Sequence, residues 1–493
     1  MGEAALYVPP LLKMGGAKVR PPQSSAWKLW AVLALAAIMR VVPAVRRPLQ
    51  VDEAYALHVA SLPIAHMLQA IAKLDVHPPL FWLVLHPLVV IGVPDLVLRL
   101  CMAALGVGCV ALLAWLVRLW HSDTAALIAA FCAAVMPSLI FYDITIRMYV
   151  LFDCFTLLSF ALLSFLCTRD DLSVEQRRAA WWGWTLCTVL LLYTQYLAFT
   201  VIAAQLLYIV LLRRDALVRS LAGTAAACVL WLPQLPIFLQ QLPRGGLAFP
   251  FYEHHELSAL YELAGQATIG VQTHGAAYMA LWTSLVAWLW FAGAAIIGLP
   301  GNRRSLAVWL LVPAAITLVY GLLAHKLLFV DRYYLVFALG LCALTGIAVQ
   351  RLGARSVAGA VAGVALAAMG ALYAFDSDYY TADWPGVAGV LKARAQTGDL
   401  IVFDQGSPYF ALNRLHALDG HPLILVFRRA DVAHIPKLAR PFHRVWLVLF
   451  QSGPVDPQAR ILHDLAAVYH PAGYWEYLRR LPAEGASVVL FVR

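Results

Sequence analysis

Charge is scarce in this sequence. Only 13% of its 493 residues are Asp, Glu, Lys or Arg, about half the share in soluble proteins, which argues against a soluble globular fold. Disulfide chemistry has no foothold either: the eight cysteines, Cys101, Cys109, Cys132, Cys154, Cys167, Cys187, Cys228 and Cys342, all lie within or beside apolar runs. They read as small buried hydrophobes, supporting neither a disulfide framework nor a zinc site. No glycine-rich phosphate fingerprint, internal repeat or low-complexity tract occurs, and no signal-peptide cleavage pattern precedes the first apolar run. The net charge of +9 is spread in short clusters between apolar runs, which suits cytoplasmic loops better than nucleic acid.

Hydrophobic residues make up 62% of the chain and mean hydropathy is +0.75. A polytopic α-helical membrane protein follows. Residues 1–26 form a basic cytoplasmic leader, and 27–45 an uncleaved first span. Ten further runs are long enough to be candidate spans, which need roughly 20 apolar residues: 95–119, 125–141, 144–167, 179–193, 197–212, 216–236, 277–299, 306–323, 333–349 and 356–375. Alternating from a cytoplasmic start, they put Arg118, Arg169, Arg177, Arg178, Arg213, Arg214, Arg219, Arg303, Arg304, Arg351 and Arg355 inside, as the positive-inside rule requires. The first outer loop, 46–78, and a long loop, 237–275, then lie outside. The apolar run 79–93 is short and contains His86 and Pro87; it reads as a re-entrant or incompletely crossing element. A true span, with another missed, is the alternative.

After Phe375 the apolar runs shrink to strand length, at 400–403, 423–427, 445–450 and 488–492, with amphipathic stretches around 385–396, 408–417 and 458–469. Residues 376–493 therefore read as a small α/β domain, outside by the parity of eleven spans.

Polar residues near membrane level gather on that outer side. Asp52 and Glu53 follow the first span, and such a carboxylate can serve as general base for an acceptor hydroxyl or amine. A solvated pair closing a helix is the plain alternative. Asp75 and His77 precede Pro78 and Pro79; Asp75 can hold a substrate hydroxyl or anchor a cation, and His77 can donate to a phosphate or be a satisfied interfacial histidine. Arg147 precedes Met148 and Tyr149, and Lys326 lies near Asp331, Arg332 and Tyr333. Arginine forks suit phosphate oxygens, with snorkelling as the competitor. Tyr193, Thr194, Gln195 and Tyr196 form either an aromatic belt or a substrate contact. Arg40, inside the first span, either snorkels or faces the site. The run Glu253, His254, His255, Glu256 makes a poor metal site, because consecutive residues cannot all face one ion in regular structure.

With the Asp-Glu after the first span, the Asp-Val-His-Pro-Pro stretch, Arg-Met-Tyr, Tyr-Thr-Gln-Tyr and Arg-Tyr before a late span, the chain resembles the type C glycosyltransferases (GT-C superfamily). The resembling branch holds protein O-mannosyltransferases and the aminoarabinose transferases of lipid A, families 39 and 83. The resemblance covers residues 27–375 as the transmembrane catalytic domain and implies a GT-C fold of about 11–13 transmembrane helices. It implies transfer of one monosaccharide, hexosyl or pentosyl, from a polyprenyl-phosphate donor to an extracytoplasmic lipid, glycan or protein acceptor at a bacterial inner membrane. Asp52 maps to the catalytic carboxylate with Glu53 beside it. Arg147, Arg332, Lys326 and His77 would bind the donor phosphate, while Asp75, Tyr149, Gln195, Tyr196 and Tyr333 would contact substrate. Relatives commonly carry His where this chain has Gln195, so an ionisable role there is lost. Some relatives use a divalent ion; none is expected here. A carrier or flippase of a lipid-linked sugar, without transfer chemistry, is the alternative function.

Overall fold

The computed structural model describes residues 26–243, 256–269, 277–323, 331–353, 357–375, 382–450, 455–477 and 485–493. The basic leader, Lys326 and the Glu253–His255 part of the acidic-histidine run lie outside the described residues. Each of the eleven apolar runs contains helix, although the run 125–141 breaks at Met136 and the run 144–167 is helical only from Tyr149. Among the described residues, by length and composition alone, six helical stretches suffice to cross a membrane: Ala26–Arg46, Asp95–Trp120, Tyr149–Thr168, Arg214–Gln241, Leu306–Leu323 and Leu335–Leu352. A seventh counts if the bent pair Asp123–Val135 and Pro137–Asp143 is one span.

After α1 (Ala26–Arg46) come three short helices, α2 (Val51–Ser61), α3 (Ile64–Leu74) and α4 (Leu80–Val90). At 11 residues, α4 is about 16 Å long, well short of the roughly 30 Å hydrocarbon layer. Next follow α5 (Asp95–Trp120), α6 (Asp123–Val135), α7 (Pro137–Asp143), α8 (Tyr149–Thr168), α9 (Val174–Thr194), α10 (Ala198–Leu212), α11 (Leu217–Trp231) and α12 (Leu235–Gln241). The expected outer loop at 237–275 is partly helical, since α13 (Glu256–Thr268) packs along α14 (Ala277–Gly298). The late helices are α15 (Leu306–Trp309), α16 (Val312–Leu323), α17 (Leu335–Leu352) and α18 (Val357–Phe375).

Small residues set the packing in the middle of the bundle. Helix α6 is rich in alanine and packs along α5, α17, α1 and α18. At Gly346 of α17, a Cβ would come within 2.3 Å of the Ala125 carbonyl oxygen, so only glycine permits that approach. Helices α6 and α7 bend by 66° because Pro137 has no N–H to continue the hydrogen-bond ladder. Arg40 repairs the break, donating to the freed carbonyls of Ala133 and Ala134 at 3.1 Å each and pairing with Asp143 at 2.7 Å. Arg40 is fully buried. It neither snorkels nor faces the outer site; it braces the broken span.

The C-terminal domain begins with α19 (Trp384–Arg394) and α20 (Pro408–Arg414) around the sheet strands β1 (Leu400–Phe403), β2 (Leu423–Leu425), β3 (Arg444–Phe450), β4 (His470–Tyr477) and β5 (Ala486–Val492). Strand order is β2-β1-β3-β5-β4, with β1 parallel to β2 and β3, and β5 antiparallel to β3 and β4. Four strands coincide with the expected apolar runs. Strand β4 departs from that expectation: it is an exposed edge, broken in register between Pro471 and Gly473, and such strands carry no buried apolar run to betray them.

This domain is seated on α2. Ala54 joins its core, Phe410 of α20 meets Tyr55 edge-on at 5.2 Å, and His58 lies 5.3 Å from Phe410. An aromatic pair of this kind is worth about 0.5–1.5 kcal/mol beyond its buried area. The half-exposed pair Arg414–Asp95 adds at most about 1 kcal/mol. Apolar burial thus holds the domain against the helix that opens with Asp52.

Candidate active site

The chain leaves α1 and re-enters a helix at Val51, so Asp52 and Glu53 both stand in the first turn of α2, where carboxylates favour the helix dipole. Adjacent helical residues diverge by about 100°, and the two acids face different surroundings. Asp52 is exposed, while Glu53 is 1% exposed. Glu53 takes both a hydrogen bond from Arg99 Nε at 2.8 Å and an ion pair with Arg99 Nη2, and also accepts from the backbone of Gln50 at 3.0 Å and Ile146 at 3.1 Å. Arg99 further donates to the carbonyls of Arg47 at 2.6 Å and Pro48 at 2.8 Å. Glu53 therefore ties α2, α5 and the turn before α8 together, with its lone pairs occupied. Breaking a buried, hydrogen-bonded pair costs about 3–5 kcal/mol. Glu53→Ala and Arg99→Ala are each expected to lower the melting temperature of the detergent-solubilised protein markedly, and unchanged melting in both would refute this bracing role.

Asp52 has a different set of neighbours. Its charge acts on Tyr55, Arg147, Tyr149 and Arg332, which arrive from α2, the turn before α8, the start of α8 and the short helical turn Asp331–Tyr333. Arg147 is 6% exposed, and its guanidinium lies 5.9 Å from the Tyr55 ring centre and 5.7 Å from that of Trp82. Its Nε and Nη1 are buried without a hydrogen-bond partner among the described residues. Burial works against its charge, but Tyr149, Asp75 and Asp52 more than compensate and hold its pKa above the ordinary arginine value. Arg332 is likewise raised, burial being outweighed by Tyr149, Tyr333 and Asp52, and its guanidinium sits 5.8 Å from the Tyr333 ring centre.

Asp75 and His77 form a dyad at the entry to α4. One Asp75 oxygen accepts from the backbone of Val76 at 2.7 Å and His77 at 3.0 Å, and lies 2.7 Å from His77 Nδ1. Burial opposes ionisation of Asp75, yet His77, Arg147 and the Val76 amide bring its pKa down to about 2. For His77 burial dominates and lowers the pKa, aided by Arg147 and Arg332 against Asp75. A neutral ring with its proton on Nδ1, shared with Asp75, follows from this pairing. Nε2 then offers a lone pair, and it has no partner among the described residues. That tautomer accepts from a hydroxyl; donation to a phosphate, as the sequence alone suggested, requires a protonated ring.

Gln195 and Tyr196 lie just past α9 and part ways as well. Tyr196 donates to Gln241 Oε1 at 2.5 Å, and Gln241 donates to the carbonyls of Ile71 at 2.9 Å and His77 at 3.0 Å. Tyr196 thereby supports the loop that carries the dyad. Gln195 is buried with its Nε2 lacking a partner among the described residues, as do the Tyr149 hydroxyl and the Trp82 indole N–H. Buried polar groups are nearly always hydrogen-bonded, so this set of open groups on Trp82, Arg147, Tyr149 and His77 marks a place for a polar ligand. No group of three or more His, Cys, Asp or Glu among the described residues is placed to hold a metal ion.

Residues 51–258 match the family model of dolichyl-phosphate-mannose-protein mannosyltransferases, PMT, a stretch running from α2 past Arg147 and Gln195. The fold is similar to that of ArnT from Cupriavidus metallidurans bound to undecaprenyl phosphate, with a TM-score of 0.60 at 14% identity over 95% of this chain and 98% of that one. Over residues 51–258 the chain is thus similar to the mannosyltransferase family, and in fold it is similar to ArnT. The apo state of the same ArnT gives a TM-score of 0.58 at 15% identity over 94% and 97%. The archaeal oligosaccharyltransferase AglB from Archaeoglobus fulgidus, in complex with an inhibitory peptide and a dolichol-phosphate, gives 0.50 at 13% identity over 92% of this chain and 73% of that one. No curated protein matches the chain.

Sequence reasoning overlooks several residues of this site. Arg99 is hidden inside an apolar run, although a charge near a span end is a functional or structural signal by default. Tyr55, Trp82 and Gln241 carry no separate signal, because aromatic and amide residues at membrane level usually belong to the interface.

Proposed function

We propose that this chain belongs to the GT-C superfamily and is an integral-membrane glycosyltransferase that moves one monosaccharide from a polyprenyl-phosphate carrier to an extracytoplasmic acceptor, at the inner membrane of a bacterium. The observation that carries the reading is the buried Arg147 fork, open at Nε and Nη1 within the field of Asp52. Asp52 takes the proton from the acceptor hydroxyl or amine as that atom bonds to the anomeric carbon, opposite the departing phosphate. The carbon–oxygen bond to phosphate breaks, its electron pair stays on the phosphate oxygen, and the sugar inverts. Arg147 and Arg332 neutralise the charge that grows on that oxygen; fixed cations in a dry site act far more strongly than in water. Lys326 is assigned to the same phosphate. His77 Nε2 and Gln195 contact hydroxyls of the sugar or the acceptor, and Asp75 fixes the histidine ring. Glu53 and Tyr196 position the site, while Tyr149 and Tyr333 line it.

Support comes also from the structural relatives, one bound to undecaprenyl phosphate and one to a dolichol-phosphate. The C-terminal domain, seated on α2 through Phe410, is assigned to the acceptor side. The test uses full-length protein in proteoliposomes supplied with polyprenyl-phosphate sugars and envelope acceptors. Release of polyprenyl phosphate together with a glycosylated product is expected. Movement of intact donor across the bilayer with no cleavage would replace this reading with that of a flippase.

A further inference from the structure

A second charged recess lies at the opposite end of α9 from the candidate active site. Its cavity of about 470 Å³ is lined by Arg177, Arg178, Trp181 and Trp182 of α9 and by Arg219 and Ala222 of α11. The C-terminal end of α9 leads through Tyr196 and Gln241 to His77. With 21 residues, α9 measures about 31 Å, so its N-terminal end lies a full hydrocarbon thickness from the dyad. The recess therefore lies about one helix length away from the dyad.

The neighbouring Arg169 and Arg213 pair with Asp171 at 3.0 Å and Asp215 at 2.8 Å, whereas Arg177, Arg178 and Arg219 have no carboxylate within salt-bridge distance among the described residues. Arg178 and Arg219 are exposed, and so is Trp182, at 64%. The floor is closed where the helices touch: a Cβ on Gly223 would stand 2.7 Å from Thr185 Oγ1 and 2.9 Å from the Trp184 ring. Three guanidinium groups above an apolar, tryptophan-walled floor, between two helices whose positive N-terminal ends lie at the same face, match a molecule with a phosphodiester joined to acyl chains. Trp side chains favour the glycerol level of a bilayer, and arginine forks favour phosphate oxygens.

We infer that this recess binds the headgroup of an anionic glycerophospholipid from the surrounding leaflet, at a site separate from the transfer chemistry. Lipid is the occupant the geometry favours because the recess opens beside lipid-facing surface, with Val174, Val218 and Leu221 exposed around it.

Tryptophan quenching tests this on the intact protein. The protein is reconstituted in phosphatidylcholine vesicles doped with brominated phosphatidylglycerol or, in parallel, brominated phosphatidylcholine. Stronger quenching by the anionic lipid is expected, and the part lost in Trp181→Phe/Trp182→Phe reports the recess. Arg177→Ala/Arg178→Ala/Arg219→Ala should weaken that part up to roughly a hundredfold in apparent lipid affinity, each basic group contributing about fivefold. The triple Arg→Lys variant should retain most of it, and melting temperatures of all variants serve as the check on folding. Equal quenching by the two lipids in the wild-type protein overturns the proposal. So does an anionic preference that survives in the folded triple Ala variant, since that would be general surface attraction. If the triple Ala variant melts early, the single Arg219→Gln variant decides, with the triple Lys variant as its folded reference: no loss in Arg219→Gln overturns the site.

Discussion

Asp52→Asn is expected to lower the rate of polyprenyl-phosphate release by about 10²–10⁴-fold, the span that general-base catalysis covers, while the protein still folds. Asn keeps the size of the side chain and its place in the first turn of α2, but it cannot take a proton from the acceptor. Because Asp52 is exposed and the Glu53–Arg99 pair that braces α2 does not pass through it, melting should shift little. The effect should fall on kcat, with the KM for donor nearly unchanged, since the proton moves only as the acceptor attacks. A release rate within a few-fold of wild type would remove Asp52 from the base role. The neighbouring position behaves oppositely: losing the Glu53 carboxylate takes the Arg99 pair apart and shows up as lost stability.

Arg147→Ala carries the second large effect, a fall in kcat/KM of roughly 10²–10³, comparable to removing one donor aimed at developing charge. Here kcat and donor affinity both suffer, because the phosphate is an anion in the ground state and gains charge as it leaves. Arg147→Lys should recover only part of the loss. An ammonium supplies the charge, but it lacks the planar fork that lies between the Tyr55 and Trp82 rings. Donor turnover and donor binding measured side by side on both variants check this. If Arg147→Ala binds and turns over donor as wild type does, the phosphate is held elsewhere.

Much of the fold is legible in the order of the residues. Long apolar runs are a one-dimensional signal, since a helix must satisfy its own backbone in lipid, and every run expected to be helical contains helix. The shortness of α4 and the alternation of strand and helix after Phe375 are readable for the same reason: length and period lie within the sequence. The polar clusters are readable because charge near hydrocarbon is costly and therefore rare.

What each polar residue does is decided only by tertiary contact. Asp52 and Glu53 are neighbours of the same chemistry, yet helical geometry sends one outward toward Arg147 and Arg332 and buries the other against Arg99, 46 positions away. Arg40 and Asp143 stand 103 positions apart, and nothing local announces that together they mend the break at Pro137. His77 resembles a phosphate donor until the 2.7 Å contact with Asp75 sets its proton on the other nitrogen. Composition and period determine which segments cross and which stay wet; partners brought from distant positions determine which carboxylate is left free to act, because hydrogen-bond capacity is consumed by whatever folds beside it.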